Sequence, residues 1–352
     1  MSEIEIDYKV KRIFDDIRAR IGAGEWKPLG RLPSQRSLAQ RYGASLSTMK
    51  RVWELLLDAG LVRTQPGVGS FVPKGSIRYT FALLVSNCRY SDYFRALINE
   101  LAHAANERGI SLTVYDESYT DRERKTSEVF AAADEIAKTG VDCVLYVPLQ
   151  FTPSAARDNV RVMNTFAAAR IPVVVIDADI SGIDAYDLVS MDNAKAAYSL
   201  TAALLASGRR HPRFVTFRDY ASGVANRIAG FQRALGRVDA GDIWVLDEDR
   251  FERELAARLA ADDEVDSLVC HNDVLAIESR RAIRASGYFS QETIALAGFD
   301  GLAFAGSGEE RCLTIKQPVK EIAETALELA ERRVREPCAM FKSELIRAVG
   351  EW

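Results

Sequence analysis

The chain has 352 residues, 48% hydrophobic and 27% charged, which leaves room for two or three globular cores and excludes a disordered or fibrous protein. The opening MSEIEIDYKV has no cationic flank followed by an apolar run, and no stretch approaches the roughly 18 apolar residues of a membrane helix, so neither export nor a membrane partner is expected. Cys88, Cys143, Cys270, Cys312 and Cys338 are odd in number and never spaced CxxC, which suits reduced thiols in a cytoplasm better than disulfides or zinc.

The net charge of −4 hides an asymmetry. Residues 1–76 carry 13 Lys and Arg against 8 Asp and Glu, so that segment is net +5 and the remainder −9. A cationic module on an anionic body points to a polyanionic partner for one end only.

In chain order, Val10, Ile13, Phe14, Ile17 and Ile21 repeat at helical spacing and predict one buried face, closed by Gly22 and Gly24. A short second helix is expected from Ser34, as N-cap, to Tyr42, with Leu38 inward. A third runs from Ser45 to Ala59, with Met49, Val52, Trp53 and Leu56 inward and Gly60 as its stop. Leu61–Thr64 and Ser70–Pro73 flank QPGVG and read as a hairpin. Three helices and a hairpin make a winged helix-turn-helix over residues 1–72, and PKGSIRY (73–79) reads as a linker.

From residue 80 to 352 the pattern changes to alternating strands and helices. YTFALLVS, SLTVYD, CVLYVPL, PVVVIDA, RFVTF, IWVLD, SLVCH and IALAGFD are Val/Ile/Leu-rich runs separated by helix-length stretches, the signature of parallel sheets covered on both faces. There are too many strands for one small sheet. The expected fold class is therefore α/β: the winged head plus two doubly wound lobes around a cleft, lobe 1 over about 80–178 and 318–352 and lobe 2 over about 179–317.

LPSQRSLAQRYGAS, DAGLV and the wing GVGSFV, in order over about forty residues, resemble the DNA-binding domain of the gluconate-repressor (GntR) family. The residues fit that reading independently. Ser47, Lys50, Arg51 and Glu54 lie opposite the inward stripe of the third helix, and a helix that presents its first turns to a major groove needs such donors. Ser45 and Thr48 add hydroxyls at the same helix start. The resemblance makes Arg36 and Lys50 phosphate or base-edge contacts, and Gly67 and Gly69 the wing residues that approach the minor groove. Leu46 stands where the family often has Arg, and Lys50-Arg51 where it often has Arg and an acid, so a different operator sequence is expected; lysine lacks the bidentate fork that reads guanine.

The body resembles the effector domain of lactose-repressor (LacI) family regulators and periplasmic sugar-binding proteins. The landmarks are SDYFRALINELAHAANERGI, IPVVVID, VSMDNAKAAYSLTAALLASGRRHPRF, RIAGFQRAL, LVCHNDVLAIESRRAI, LAGFDG and LTIKQPV, and the head–body combination is similar to the bacterial arabinose-repressor group. By that resemblance Asp177, Arg227, Asn272, Asp300 and Gln317 hold a sugar, with Tyr93 or Phe94 against its C–H face and Phe251 as a weaker candidate. Relatives often carry Arg after the aspartate; here it is Ala178, which leaves room for a larger or less hydroxylated ligand.

Cys270-His271 invites a nucleophile–base reading, but neighbouring strand residues point to opposite faces. His103, His211 and His271 have no metal-ligand spacing, and GVGSF is too short for a dinucleotide fingerprint. The expectation is a ligand-responsive transcription regulator, a repressor by resemblance, working as a homodimer on double-stranded operator DNA, with a sugar or derivative as effector and no cofactor or metal. A sugar- or nucleotide-processing enzyme is the alternative, for which no nucleophile–base pair or phosphate loop is visible.

Overall fold

Helix α1 (Glu3–Gly22) packs its apolar stripe onto α3 (Leu46–Asp58), with α2 (Gln35–Arg41) bracing both. In this computed structural model, residues 3–22, 25–26, 29–73, 79–86, 91–116, 122–218, 220–286, 294–301 and 312–351 are described; most of the expected linker, 74–78, and Cys88 lie outside them. Val10, Ile13, Ile17 and Ile21 meet Leu38, Met49, Val52, Trp53 and Leu56, all buried, each large side chain contributing about 1.5–3 kcal/mol of transfer free energy. The helices start on side-chain caps: the Ser34 hydroxyl accepts from Ser37 N at 3.1 Å and Ser45 from Thr48 N at 3.0 Å.

The hairpin pairs β1 (Arg63–Gln65) with β2 (Gly69–Phe71); β1 starts later than expected because Leu61 and Val62 are drawn into the helical core, and β2 starts and ends slightly earlier. Chain 29–32 lies against β2: Leu32 N donates to Ser70 O at 2.8 Å and Arg31 bridges Phe71. A third stretch of backbone thus widens the wing.

The body holds two six-stranded sheets. The first has the order β13 (Ser343–Ile346), β7 (Asp187–Met191), β6 (Val173–Ile176), β5 (Cys143–Tyr146), β3 (Tyr79–Val85) and β4 (Ile110–Asp116), all parallel. The second has β14 (Val349–Glu351), β12 (Leu313–Lys316), β11 (Ala295–Asp300), β10 (Ser267–Cys270), β8 (Pro212–Phe217) and β9 (Ile243–Leu246), parallel except for β14. Apolar clusters cover both faces of each. Two assignments differ from the expected division at 178/179 and at 317/318. β7 stays in the first sheet beside β6, and β14 closes the edge of the second. A strand pattern marks a strand but not the sheet it joins.

α7 (Asn193–Ala206) then opens the second lobe against α8 (Ser222–Leu235). A Cβ on Gly230 would sit 2.1 Å from the Ala194 carbonyl oxygen, so the glycine of RIAGF is fixed by this close crossing. α4 (Asp92–Glu107) and α11 (Val319–Arg335) pack together on one face of the first sheet, α5 (Arg122–Thr139) and α6 (Ala155–Ala168) on the other. α9 (Phe251–Ala261) and α10 (Asp273–Ser286) cover the second sheet. The head is tied to the body where α1 ends: Arg18 donates to Asp142 at 2.6 Å, and that half-buried carboxylate also accepts from Thr80 N at 2.9 Å.

Candidate functional site

Two regions gather the residues singled out by sequence. On the head, Arg36 on α2 and Ser47, Lys50 and Arg51 on α3 are exposed. Ser45 is exposed too, but its hydroxyl caps α3 and lies 2.8 Å from both the Ser47 and the Thr48 hydroxyls. Thr48 departs from expectation. It stands four residues before Val52, on the flank of the inward stripe, and is 5% exposed, so it organises the helix start and offers nothing to a partner.

The two wing glycines also differ. Gly67, at φ +76 with open space around it, forms the exposed turn next to Val68. Gly69, at φ +141, is packed against the chain itself: a Cβ there would lie 2.7 Å from Arg31 Nε.

The second region lies where parallel strands of both sheets end, the usual ligand position in α/β folds. Asp177 follows β6 and Asp300 ends β11. Both take left-handed backbone, φ +78 and +113, which costs about 1–3 kcal/mol each and is retained where the surroundings impose it. Gln150 Nε2 donates to Asp177 at 2.8 Å, and Gln317 Nε2 donates to Asp300 at 3.1 Å. Buried Arg227, on α8, donates to Asn193 Oδ1 at 2.7 Å and to the His271 carbonyl, and its guanidinium lies 4.4 Å from the Phe299 ring centre.

These groups feel one another although they come from different elements. Burial pushes the Asp300 carboxyl up to about 6, against the pull of Arg227 and Gln317 and with a further push from Asp177. Burial also raises Asp177, opposed by Gln150 and Arg227. The Tyr93 phenol is pushed up by burial first, then by the charges of Asp177 and Asp300; it lies near Asp177 but outside hydrogen-bonding geometry. Asp177, Asp300, Arg227, Tyr93 and Gln317 are thus brought together.

The remaining expected residues are placed otherwise. Phe94, its ring 4.9 Å from that of Tyr93, belongs to the first lobe's core. Asn272 uses its side-chain oxygen to accept from Leu275 N at 2.8 Å, at the start of α10. Phe251 sits in the second lobe's core, stacked edge-on against Phe217, and reaches the strand ends only through that ring.

Three residues that the sequence did not assign to the ligand site join the region. Gln150 and Phe151 follow β5, and Phe151, at φ +56, crosses to pack on the second lobe's core with its ring 5.3 Å from His271. His271 is also 5.4 Å from Phe217, and burial, helped by Arg227, pulls its imidazole down to about 3, so it is neutral. An aromatic in the loop just after an apolar strand was the available signal for Phe151. Cys270 points the other way, into the second core beside Ser279, its thiol pushed up to about 12 by burial.

Several buried polar atoms have no partner among the described residues: Ser86 Oγ, Tyr93 Oη, Thr152 Oγ1, His271 Nδ1 and Gln317 Oε1. Folded chains seldom leave such atoms unpaired, and here four of the five belong to residues at or facing the strand ends.

Comparison with known proteins agrees with this architecture. Residues 9–72 match the model "Bacterial regulatory proteins, gntR family", and residues 81–333 match "Periplasmic binding protein domain". The chain is 24% identical over 345 residues to the arabinose metabolism transcriptional repressor of Geobacillus stearothermophilus, covering 92% of each. It is 22% identical to the repressor of that name from Halalkalibacterium halodurans, over 92% of this chain and 88% of that one. Among solved structures, a complex of the transcriptional regulator CelR with cellobiose superposes at a TM-score of 0.66 over 91% of this chain and 99% of that one, with 18% identity. A LacI family transcriptional regulator from Enterococcus faecium with bound ribose gives 0.62 over 78% and 97%, with 19% identity. The chain belongs to the family of proteins built on a periplasmic binding protein domain, and it carries a gntR-family regulatory domain as its head.

Proposed function

We propose that the protein is a ligand-responsive, DNA-binding transcription repressor of carbohydrate-metabolism genes. Residues 1–72 form the operator-binding unit and the rest the effector unit. Arg36, Ser47, Lys50 and Arg51, with the wing around Gly67, meet the duplex. Asp177, Asp300, Arg227, Gln317 and Tyr93 bind the effector, joined by Gln150 and His271. The observation that carries this reading is the pair of half-buried, strained carboxylates around one buried guanidinium, ringed by polar atoms that have no partner among the described residues. A polyhydroxylated ring supplies both the donors that carboxylates need and the acceptors that Arg and amide groups need. Named relatives that repress arabinose and ribose genes support a sugar or close derivative.

In a homodimer, two heads face two half-sites, and effector closing the cleft changes their spacing, so effector and operator affinities are reciprocally linked. The test is a thermal-shift screen of the full chain against monosaccharides, disaccharides, polyols, nucleosides and sugar acids. A ligand at about 100 times its Kd adds roughly 2.7 kcal/mol of stability. The expected result is one hit, lost in Asp300→Ala, which also alters affinity for operator DNA. A hit that survives Asp300→Ala, or one recovered chemically converted, overturns the reading.

A further inference from the structure

A second built region lies on the flank of the first lobe, outside the strand-end cluster. A groove of about 690 Å³ opens between α5 and α6, lined by Thr126, Ser127 and Phe130 on one side and by Thr152, Arg157 and Arg161 on the other. It includes the start of α6, where Ser154 is the N-cap residue but does not cap: its hydroxyl donates to the Asp158 carboxylate at 2.5 Å, and no side chain takes the first N–H groups of the helix. Ala155 N donates to the Thr152 carbonyl at 3.0 Å, so this 14-residue helix offers the groove the N–H groups of Ala156 and Arg157 and the positive end of its dipole.

A second observation points to a ligand here. Thr152 lines the groove, is 5% exposed, and its hydroxyl has no partner among the described residues. The cations are arranged to complete such a site. Arg161 is held with its guanidinium 3.9 Å from the Phe130 ring centre, which fixes it without neutralising it. The Arg157 side chain is 84% exposed and reaches Asp158 only at 3.3 Å, so it can swing. Asp158 is the one carboxylate among the described lining residues, and the Ser154 hydroxyl and Arg157 already engage it.

We propose that this groove binds a phosphate group, on the free helix start of α6 between Thr152, Arg157 and Arg161, as the site of a co-effector separate from the interlobe cleft. Helix N–H groups, a hydroxyl and two guanidiniums are the donors a tetrahedral dianion takes. The phosphate comes either as a phosphate monoester of a small metabolite or as the free ion.

The site is wired to the cleft through one short loop. Asn159 of α6 pins the loop start, accepting from Leu149 N at 2.8 Å and donating to Leu149 O at 3.0 Å. The next residue, Gln150, holds Asp177; Phe151 packs on the second lobe; Thr152 faces the groove. An anion that draws in Thr152 moves the residues that shape the cleft, so it changes effector affinity, and the effector changes anion affinity by the same factor. This coupling rests on the function proposed above; the anion site itself does not.

The experiment is calorimetric titration of the full chain with inorganic phosphate, with glucose 6-phosphate and with glucose, at constant ionic strength. Binding of one or both phosphates is expected, weakened about tenfold or more in Arg157→Ala/Arg161→Ala, since a charge-assisted hydrogen bond is worth roughly that factor. Thr152→Val keeps the shape of the side chain and should weaken binding while leaving the fold intact, which guards against misreading an unfolded double variant. Preference for glucose 6-phosphate over phosphate identifies an ester; equal affinity identifies the free ion. Retention of binding in Asp300→Ala separates this site from the cleft. The proposal is overturned if neither phosphate binds at millimolar concentration. It is equally overturned if binding disappears in Asp300→Ala but survives the arginine and Thr152 substitutions.

Discussion

The head and the cleft are built on opposite rules. On the head the polar side chains at the start of α3 satisfy one another: Ser45 caps the helix and bonds the Ser47 and Thr48 hydroxyls, and the cations stand exposed above a closed apolar core. In the cleft the polar groups are buried or half-buried, two carboxyls are displaced upward, and several donors and acceptors have no partner among the described residues. A surface that meets a duplex needs only placed charge, because water solvates it until the partner arrives. A cleft that reads hydroxyls must exclude water, and so keeps its incompleteness until the ligand repairs it.

The largest test of this contrast is Arg227→Ala. The side chain is 7% exposed and lies between Asn193, the His271 carbonyl, Phe299 and the two carboxylates. Losing it should cost about 3 kcal/mol in urea unfolding of the body, as breaking a buried charged cluster does, and should abolish the effector response. Lys50→Ala, a comparable loss of charge on the head, should leave unfolding unchanged within roughly 0.5 kcal/mol. Equal destabilisation by both would erase the distinction.

The second test is pH. Asp300 titrates near 6 in the folded chain, above its unfolded value, so its contribution to stability is fully present below about 4 and is lost as pH rises through about 6. Effector hydroxyls donate to the ionised form, which reverses the dependence for binding. Effector affinity should therefore be level above about 6 and fall, approaching tenfold per pH unit, below it. Asp300→Asn should flatten that profile. Operator affinity measured without effector over the same range should change little, because the exposed Arg36, Lys50 and Arg51 lie on the head and Asp300 lies in the body.

Legibility in the sequence divides along the same line. The head could be read almost residue by residue: a helical apolar period, a serine cap and a Gly-rich turn are local signals, and local interactions execute them. Asp177, Asp300 and Gln317 were reached through the resemblance to sugar-binding effector domains, which places them at the ends of apolar strands. Phe151 was not, since nothing near it in the chain reveals that its loop reaches the other lobe. Nor was the sheet membership of β7 and β14, because register between distant strands is a tertiary outcome. Thr48 shows the limit even on the head. Its type fits both a duplex contact and a capping network, and only its burial decides between them.

A third, smaller effect follows from that network. Ser45→Ala removes the cap on Thr48 N and leaves the buried Thr48 hydroxyl without its partner, so about 1 kcal/mol of head stability should be lost in thermal unfolding. Thr48→Val should cost less, because the branched shape remains and the buried hydroxyl is removed rather than orphaned. On operator DNA the same substitution should be silent.

The finest distinction concerns Lys50. Lysine at this point of α3 is a mobile point charge, and Leu46, 53% exposed one turn earlier, offers no hydrogen bond. If Lys50 meets a phosphate, Lys50→Ala should weaken binding to specific and unrelated duplexes alike and reduce the slope of log affinity against log salt by about one. If it meets a base edge, the slope should hold while discrimination at one base pair falls by about 1–3 kcal/mol. With Leu46 in place of a donor, the helix has fewer groups able to read bases than hold the backbone. The slope change is therefore the expected outcome, and sequence preference should rest more on Arg36, Arg51 and the wing than on Lys50.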